Sequence, residues 1–471
     1  MKVLLVNPPT DNMIQPEVPS VVNEERGFNP PLGLLYVAST LLREGHEVGV
    51  FDMPTEGAGH GELEARLERD KPDVVGFTVM SFTLIDVMIA SKTVKEYDSR
   101  IKVVWGGPHV NIYPEESARL PDVDYIALGE GELTMPRLLD GMGDTRRLQE
   151  SAGIVFKKDG RVVNTGNPWF INNLDGIPFP ARRLTPYKKY SSLLAKRSPI
   201  TTMITSRGCP DKCLFCDRPH LGKMFRARSA RNVVDEMQEC FDMGVREFLI
   251  YDDTFTIDRQ RVLEICGEIR ERGLDIGWDV RARVNTVDKE MLKTMREAGC
   301  ERIHFGVEAG NEEILRILRK GITREQAVSA FKDARDAGME TLAYFMIGSP
   351  RETRDTIKES IEFAKQLKPD YVHFSVTTPF PGTDLYRMGL DEGVLERDFW
   401  REFAVDPTPG YTPPLWEENM RREELISLLN LAYKSFYTRP SYAVKELMRV
   451  RSPAELFRKI KAGVKLVARV F

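Results

Sequence analysis

A chain of 471 residues is too long for one ordinary core and has the size of two or three domains. Its 42% hydrophobic and 29% charged residues are those of a soluble globular protein, and a net charge of −4 offers no global attraction to nucleic acid. No apolar run approaches the roughly 20 residues that span a bilayer, and the N-terminus begins a strand rather than a signal peptide. A cytoplasmic location is expected.

The first 140 or so residues alternate between strand and helix. Lys2–Val6 is a short apolar run ended by Asn7-Pro8-Pro9, and Leu32–Arg43 has helical periodicity up to Gly45. Further strands are expected at His46–Phe51, Asp73–Thr78, Lys102–Trp105 and Tyr125–Leu128, with a helix over Leu84–Tyr97. Short apolar strands separated by helices predict a parallel sheet covered on both faces, a doubly wound domain with its ligand beyond the carboxyl ends of the strands. Gly153–Val163 then reads as a hairpin turning at Asp159-Gly160, followed by a connector containing Pro178, Pro180 and Pro186. This stretch is taken as a linker.

Alternation resumes with strands expected at Ile200–Thr205, Glu247–Tyr251, Gly277–Val280, Arg302–Gly306, Glu340–Met346 and Tyr371–Val376. Six β-α repeats are too few for an eightfold barrel and predict a partial (β/α)6 barrel of the TIM type, with chemistry at the strands' carboxyl ends. The last residues read as helical. From Lys434 to Phe471 ten Lys or Arg stand against two Glu, so this tail carries about +8 and the rest about −12. Leu456, Ile460, Val464, Val467 and Phe471 fall on one face of a basic amphipathic helix, which predicts either packing on the barrel or peripheral contact with the inner face of a membrane. The expected domains are 1–145, a linker with hairpin at 146–195, the barrel at 196–390, and a helical C-terminal region at 391–471.

Three of the six cysteines fall within eight positions, Cys209-Pro-Asp-Lys-Cys213-Leu-Phe-Cys216. A disulfide framework would scatter them through a small secreted domain, whereas a cluster in a large chain points to metal. Three thiolates satisfy three irons of a 4Fe–4S cubane and leave the fourth iron open to a ligand. The alternative is structural zinc with His220 as fourth ligand, but zinc sites commonly use two separated knuckles and here there is one loop. Cys240, Cys266 and Cys300 read as ordinary thiols.

The C-x₃-C-x₂-C spacing resembles the radical S-adenosylmethionine superfamily. That resemblance implies S-adenosylmethionine on the open iron, reductive cleavage of its sulfonium bond, and a 5′-deoxyadenosyl radical able to take hydrogen from an unactivated carbon. It also implies cofactor contacts for Phe215, for Asp252 and Asp253 in Tyr251-Asp-Asp-Thr-Phe255, for Arg281 and Arg283, for Glu308 in Gly306-Val-Glu-Ala-Gly310, and for Gly348. Read without the resemblance, the two aspartates would be solvated loop carboxylates, Glu308 a helix cap, and the two arginines surface ion-pair partners.

The first domain resembles the cobalamin-binding domain of radical S-adenosylmethionine enzymes of the class B methylase and anaerobic cyclase kind. The matching residues are Pro8 and Pro9, Pro31-Leu-Gly-Leu34, Gly106, Gly107 and His109, and Gly129-Glu130-Gly-Glu132. Glycines at strand ends would let a bulky, flat ligand approach the backbone. The Asp-x-His-x-x-Gly pattern that supplies a histidine to cobalt is absent, and His109 reads as structural or solvent-facing.

The expected activity is cobalamin-assisted methyl transfer to an unactivated carbon. One S-adenosylmethionine would serve as methyl source and a second as radical source. The alternatives are radical cyclisation, carbon–carbon coupling or oxidative ring formation on a lipid or tetrapyrrole, and a non-catalytic cobalamin or iron–sulfur module. The expected partners are a small-molecule or lipid-like substrate, met around Pro379–Gly382 and Tyr411, and an external low-potential electron donor of the flavodoxin or ferredoxin type.

Overall fold

The computed structural model describes residues 1–15, 27–168, 170–217, 222–442 and 444. The basic tail beyond residue 444, and His220, lie outside the described residues.

Strands β1 (Lys2–Asn7), β2 (Glu47–Asp52), β3 (Val74–Thr78), β4 (Lys102–Gly106) and β5 (Tyr125–Ala127) form a parallel sheet in the order β2-β1-β3-β4-β5. Alternate side chains enter opposite layers. Leu4, Val6, Val75, Phe77, Val103 and Trp105 fill one core, and Val3, Leu5, Val74 and Val104 fill the other. Burial on both faces is what the near-continuous apolar runs require. The strand order reverses between β1 and β3, which opens a crevice at their carboxyl ends.

The hairpin β6 (Ile154–Lys158) and β7 (Arg161–Asn164) turns through Asp159 and Gly160, both at positive φ. It is not a free linker element. It pairs antiparallel with β5 and extends the sheet to seven strands, so the edge that a short β5 would leave bare is paired.

The second sheet consists of β8 (Ile200–Met203), β11 (Glu247–Ile250), β12 (Gly277–Ala282), β13 (Cys300–Glu308), β14 (Glu340–Ile347) and β15 (Tyr371–Val376), all parallel and in that order. Between β8 and β11 two short strands, β9 (Ser206–Arg207) and β10 (Arg226–Ala227), pair with each other. The six strands form an open barrel. Val280, Ile303, Phe305, Ala343, Phe345 and Phe374 pack outward against the helices, while the alternating Arg281, His304, Tyr344 and His373 are half-buried on the inner side.

The region after the barrel joins both domains. Tyr386, Leu395, Trp400 and Phe403 enter the core of the first sheet, and Tyr433 hydrogen-bonds the backbone of Phe374 on β15. No helix among the described residues is long and apolar enough to cross a membrane.

Candidate active site

The three cysteines follow directly on β9, which pairs with β10, Ser206 opposite Ala227 and Arg207 opposite Arg226. Leu214 anchors the loop: its N–H donates to Leu318 O at 2.9 Å, its carbonyl accepts from Leu385 N at 2.8 Å, and its side chain packs with Leu385 and Trp416. All three thiols are free. Cys213 is buried, and Arg283 places Nη1 3.5 Å from its sulfur.

Cys216 exposes surface area, yet surrounding protein is the first cause that pushes its thiol up to about 12, followed by Cys213, Asp253 and Cys209. Burial likewise pushes the Cys209 thiol up. The three thiols and Asp253 thus lie within electrostatic reach of one another, and ionising one raises the cost of ionising the next. Such a donor set ionises when a cation takes up the charge, which is the chemistry of thiolates on iron. Among the described residues no group of three or more His, Cys, Asp or Glu is gathered to hold a metal ion, the three cysteines included, and His220 of the zinc alternative lies outside the described residues.

Asp252 and Asp253 leave the end of β11 in different directions. Asp252 is buried and accepts from Thr205 N, Thr205 Oγ1 and Ser206 Oγ, each at 2.6 Å. Its carboxylate is occupied in holding the start of the cluster loop to the barrel rather than turned to a cofactor. Asp253 is exposed and within electrostatic reach of Cys209 and Cys216, and its carboxyl is raised by burial first and then by Asp252. Arg281 stacks on the Tyr251 ring at 4.0 Å. Arg283, 6% exposed, also reaches the Asp211 carboxylate at 3.2 Å and the carbonyl of Lys320. Asp252 is not a solvated carboxylate and Arg283 is no surface residue, whereas Asp253 is exposed.

Glu308 is buried at φ 72°, beside a register shift between β13 and β14. A non-glycine residue in that region beside a strand irregularity is held by its surroundings. Here Lys320 Nζ lies 2.8 Å from Glu308 Oε1. A Cβ on Gly306 would come within 2.5 Å of that carboxylate oxygen and 2.8 Å of the ammonium, so a side chain there would require the pair to shift. Glu308 does not cap the next helix, because Asn311 does. Lys320 also stands 5.8 Å from the Phe215 ring centroid. Gly348, at φ 77°, begins a turn whose Ser349 N–H donates to Glu352 at 2.9 Å. Burial pushes the Glu352 carboxyl up to about 8, and its Oε1 has no hydrogen-bond partner.

In the first domain Pro8 and Pro9 are buried where β1 ends. Gly107 lies at φ 104°, and an added Cβ would stand 3.0 Å from the Val79 backbone. A Cβ on Gly129 would stand 2.4 Å from Pro168. The close approaches these two glycines permit are therefore to the chain itself, while a Cβ on Gly106 would meet only the Ala127 carbonyl, at 3.6 Å. His109 is 1% exposed and not solvent-facing. Ser81 Oγ sits 2.9 Å from Nδ1, burial pushes the ring's pKa down to about 4, and Nε2 is buried with no partner. That orphaned nitrogen lies near the carboxyl end of β4. Just past β3, Met80 is 40% exposed. A polar edge of a bound ligand would give the buried His109 nitrogen the partner it lacks.

Glu130 is 4% exposed, and its side chain makes no capping hydrogen bond to its own helix. Its carboxylate takes Arg207 Nη1 at 2.7 Å and Arg226 Nη1 at 3.0 Å. Burial works to raise this carboxyl, but the arginines outweigh it and hold it below the usual range. Lys320, Glu352, Arg207 and Arg226 were not singled out by sequence. The Arg207-Gly-Cys209 adjacency was the one local signal available.

Residues 203–364 match the Radical SAM superfamily and residues 20–139 match the B12 binding domain. The chain is 36% identical over 451 residues to an uncharacterised methyltransferase of Pyrococcus horikoshii, covering 95% of each protein. It is 29% identical over 441 residues to the anaerobic magnesium-protoporphyrin IX monomethyl ester cyclase of Rubrivivax gelatinosus, covering 91% of this chain and 77% of that one. Among solved structures, OxsB, a cobalamin-dependent S-adenosylmethionine radical enzyme, is similar with a TM-score of 0.74 at 19% identity, covering 99% of this chain and 72% of that one. TsrM of Kitasatospora setae, a radical S-adenosylmethionine methyltransferase, is similar with a TM-score of 0.67 at 20% identity, covering 83% and 75%. The fold is theirs. With the two-domain arrangement, these matches make the chain a radical S-adenosylmethionine enzyme of the subgroup with a cobalamin-binding domain, its cofactors a 4Fe–4S cluster, S-adenosylmethionine and cobalamin.

Proposed function

We propose that this enzyme transfers a methyl group from S-adenosylmethionine to an unactivated carbon of a small molecule. The observation that carries the reading is the position of Gly382. A Cβ placed there would lie 3.3 Å from Asp217, next to Cys216, and 3.3 Å from Ile112 of the first domain. One short segment thus touches both the cluster loop and the carboxyl end of the first sheet, where a methyl carrier and a radical source can serve one substrate.

The bound cofactors supply electron delivery to the sulfonium and carriage of the methyl group. The chain's residues do the rest. Arg283 holds Cys213 and the adjoining Asp211, Lys320 holds Glu308, and Asp253 stands within electrostatic reach of Cys209 and Cys216. Phe82 and Phe380, rings 5.5 Å apart and both half-buried, line the junction of the domains and suit an apolar or aromatic substrate. An external low-potential donor supplies the electron. Cyclisation remains the second reading, favoured by the extended similarity to the cyclase.

The test is S-adenosylmethionine deuterated in its methyl group, given to the reduced holoenzyme. Deuterated methyl recovered on the extracted corrinoid supports methyl transfer. Corrinoid that never takes up label while S-adenosylmethionine is consumed with no substrate present to accept the methyl group rejects it and favours the second reading.

A further inference from the structure

We propose that Glu130 is a positioning residue that fastens both stems of the cluster loop to the cobalamin-binding domain and so sets where the three thiols stand relative to that domain. Its two oxygens span the pair. Oε1 accepts from Arg207 at 2.7 Å and from Arg226 at 3.1 Å, and Oε2 accepts from Arg226 at 3.0 Å and from the Ile171 N–H at 2.5 Å. Arg207 and Arg226 face each other across the β9–β10 ladder at the base of the loop. A tether on one stem would leave the loop free to pivot about the other. A single carboxylate gripping both leaves no hinge.

The surroundings are built for this contact. Glu132 takes the other branch of Arg207 at 2.5 Å, so two carboxylates meet two guanidinium groups and the buried charge is balanced. Arg207 and Arg226 are 6% and 7% exposed. Their guanidinium groups lie over Tyr36 at 5.5 Å and Phe170 at 4.8 Å. Glu130 occupies the N-cap position of the helix Gly131–Gly141 but makes no capping hydrogen bond with its side chain. It forgoes the usual local role of a polar N-cap to reach residues 77 and 96 positions away. On the opposite side Asp252 holds Thr205 and Ser206 to the barrel. The loop base is thus bolted to the barrel by one carboxylate and to the other domain by a second.

The test uses Glu130→Gln, which keeps shape and one acceptor but removes the charge, beside Leu67→Ala, which opens a cavity in the first domain away from the clamp. Hydrogen exchange on the full chain reads the stems directly. Glu130→Gln should speed exchange at 205–208 and 222–228 at least tenfold, with β1 and β3 within twofold of wild type, while Leu67→Ala should leave the stems unchanged. Pulsed dipolar spectroscopy between reduced cluster and cob(II)alamin then reads placement. The distance distribution should be at least twice as broad in Glu130→Gln and unchanged in Leu67→Ala. Wild-type exchange at the stems, or equal broadening in both variants, overturns the proposal. Should the protein carry no corrinoid, the exchange measurement still decides. Should Glu130→Gln not fold, Arg226→Lys, which releases one stem, must give the same pattern at 222–228.

Discussion

Arg283 sets its guanidinium 3.5 Å from the Cys213 sulfur and 3.2 Å from the Asp211 carboxylate, so a fixed cation adjoins one ligand of the cluster. Charge and hydrogen bonds at ligand sulfurs tune a cluster's potential. The reduced cluster carries one more electron and gains more from this cation than the oxidised one does. Arg283→Gln should therefore lower the reduction potential on the order of 60 mV, equivalent to about 1.4 kcal/mol for one electron. A redox titration followed by electron paramagnetic resonance checks this. An unchanged or raised potential would show that the guanidinium does not act on the cluster.

Asp252 accepts three hydrogen bonds at 2.6 Å in a buried setting, all from the start of the cluster loop. Asp252→Ala leaves a buried N–H and two hydroxyls without their acceptor. Charged hydrogen bonds are worth about 1.5–3 kcal/mol each but do not add, so an overall loss of about 3 kcal/mol is expected. Iron per chain after reconstitution should fall by at least half. Full iron loading with an unchanged denaturation midpoint would count against this role.

Glu352 gives a pH signature. Its carboxyl is raised by burial to about 8, so the folded chain binds a proton that the unfolded chain, at the ordinary value near 4.5, has lost. Between these two values the folded state holds more protons. The contribution is fully present below pH 4.5, and stability falls as pH rises toward 8, by an amount on the order of 4–5 kcal/mol across the window. Glu352→Gln should match wild type near pH 4.5 and melt higher near pH 8. Parallel melting curves for the two proteins from pH 5 to 8 would refute the assignment.

Much of the architecture was legible because its signals are local. The eleven strands of both sheets read from short apolar runs bounded by Gly or Pro are present, and the loop cysteines announced themselves by spacing. What escaped depends on contacts distant in sequence. Glu130 read as a cofactor contact because Gly-Glu-Gly-Glu resembles a family segment, while its partners lie 77 and 96 residues on. His109 read as structural or solvent-facing, and its burial depends on Ser81 and the packing of the first domain. The hairpin at 154–164 read as linker because nothing local reveals that β5 has an open edge. Lys320 and Glu352 look like ordinary surface charges in their segments, and only the fold buries them.

The central claim is that Cys209, Cys213 and Cys216 hold a cluster that cleaves S-adenosylmethionine. The direct measurement is 5′-deoxyadenosine released by anaerobically reconstituted, reduced protein, wild type against Cys213→Ala. Wild type should form it, and the variant should lose the cluster absorbance and fall to background. No 5′-deoxyadenosine from cluster-loaded wild type, or equal release from the variant, would contradict the account.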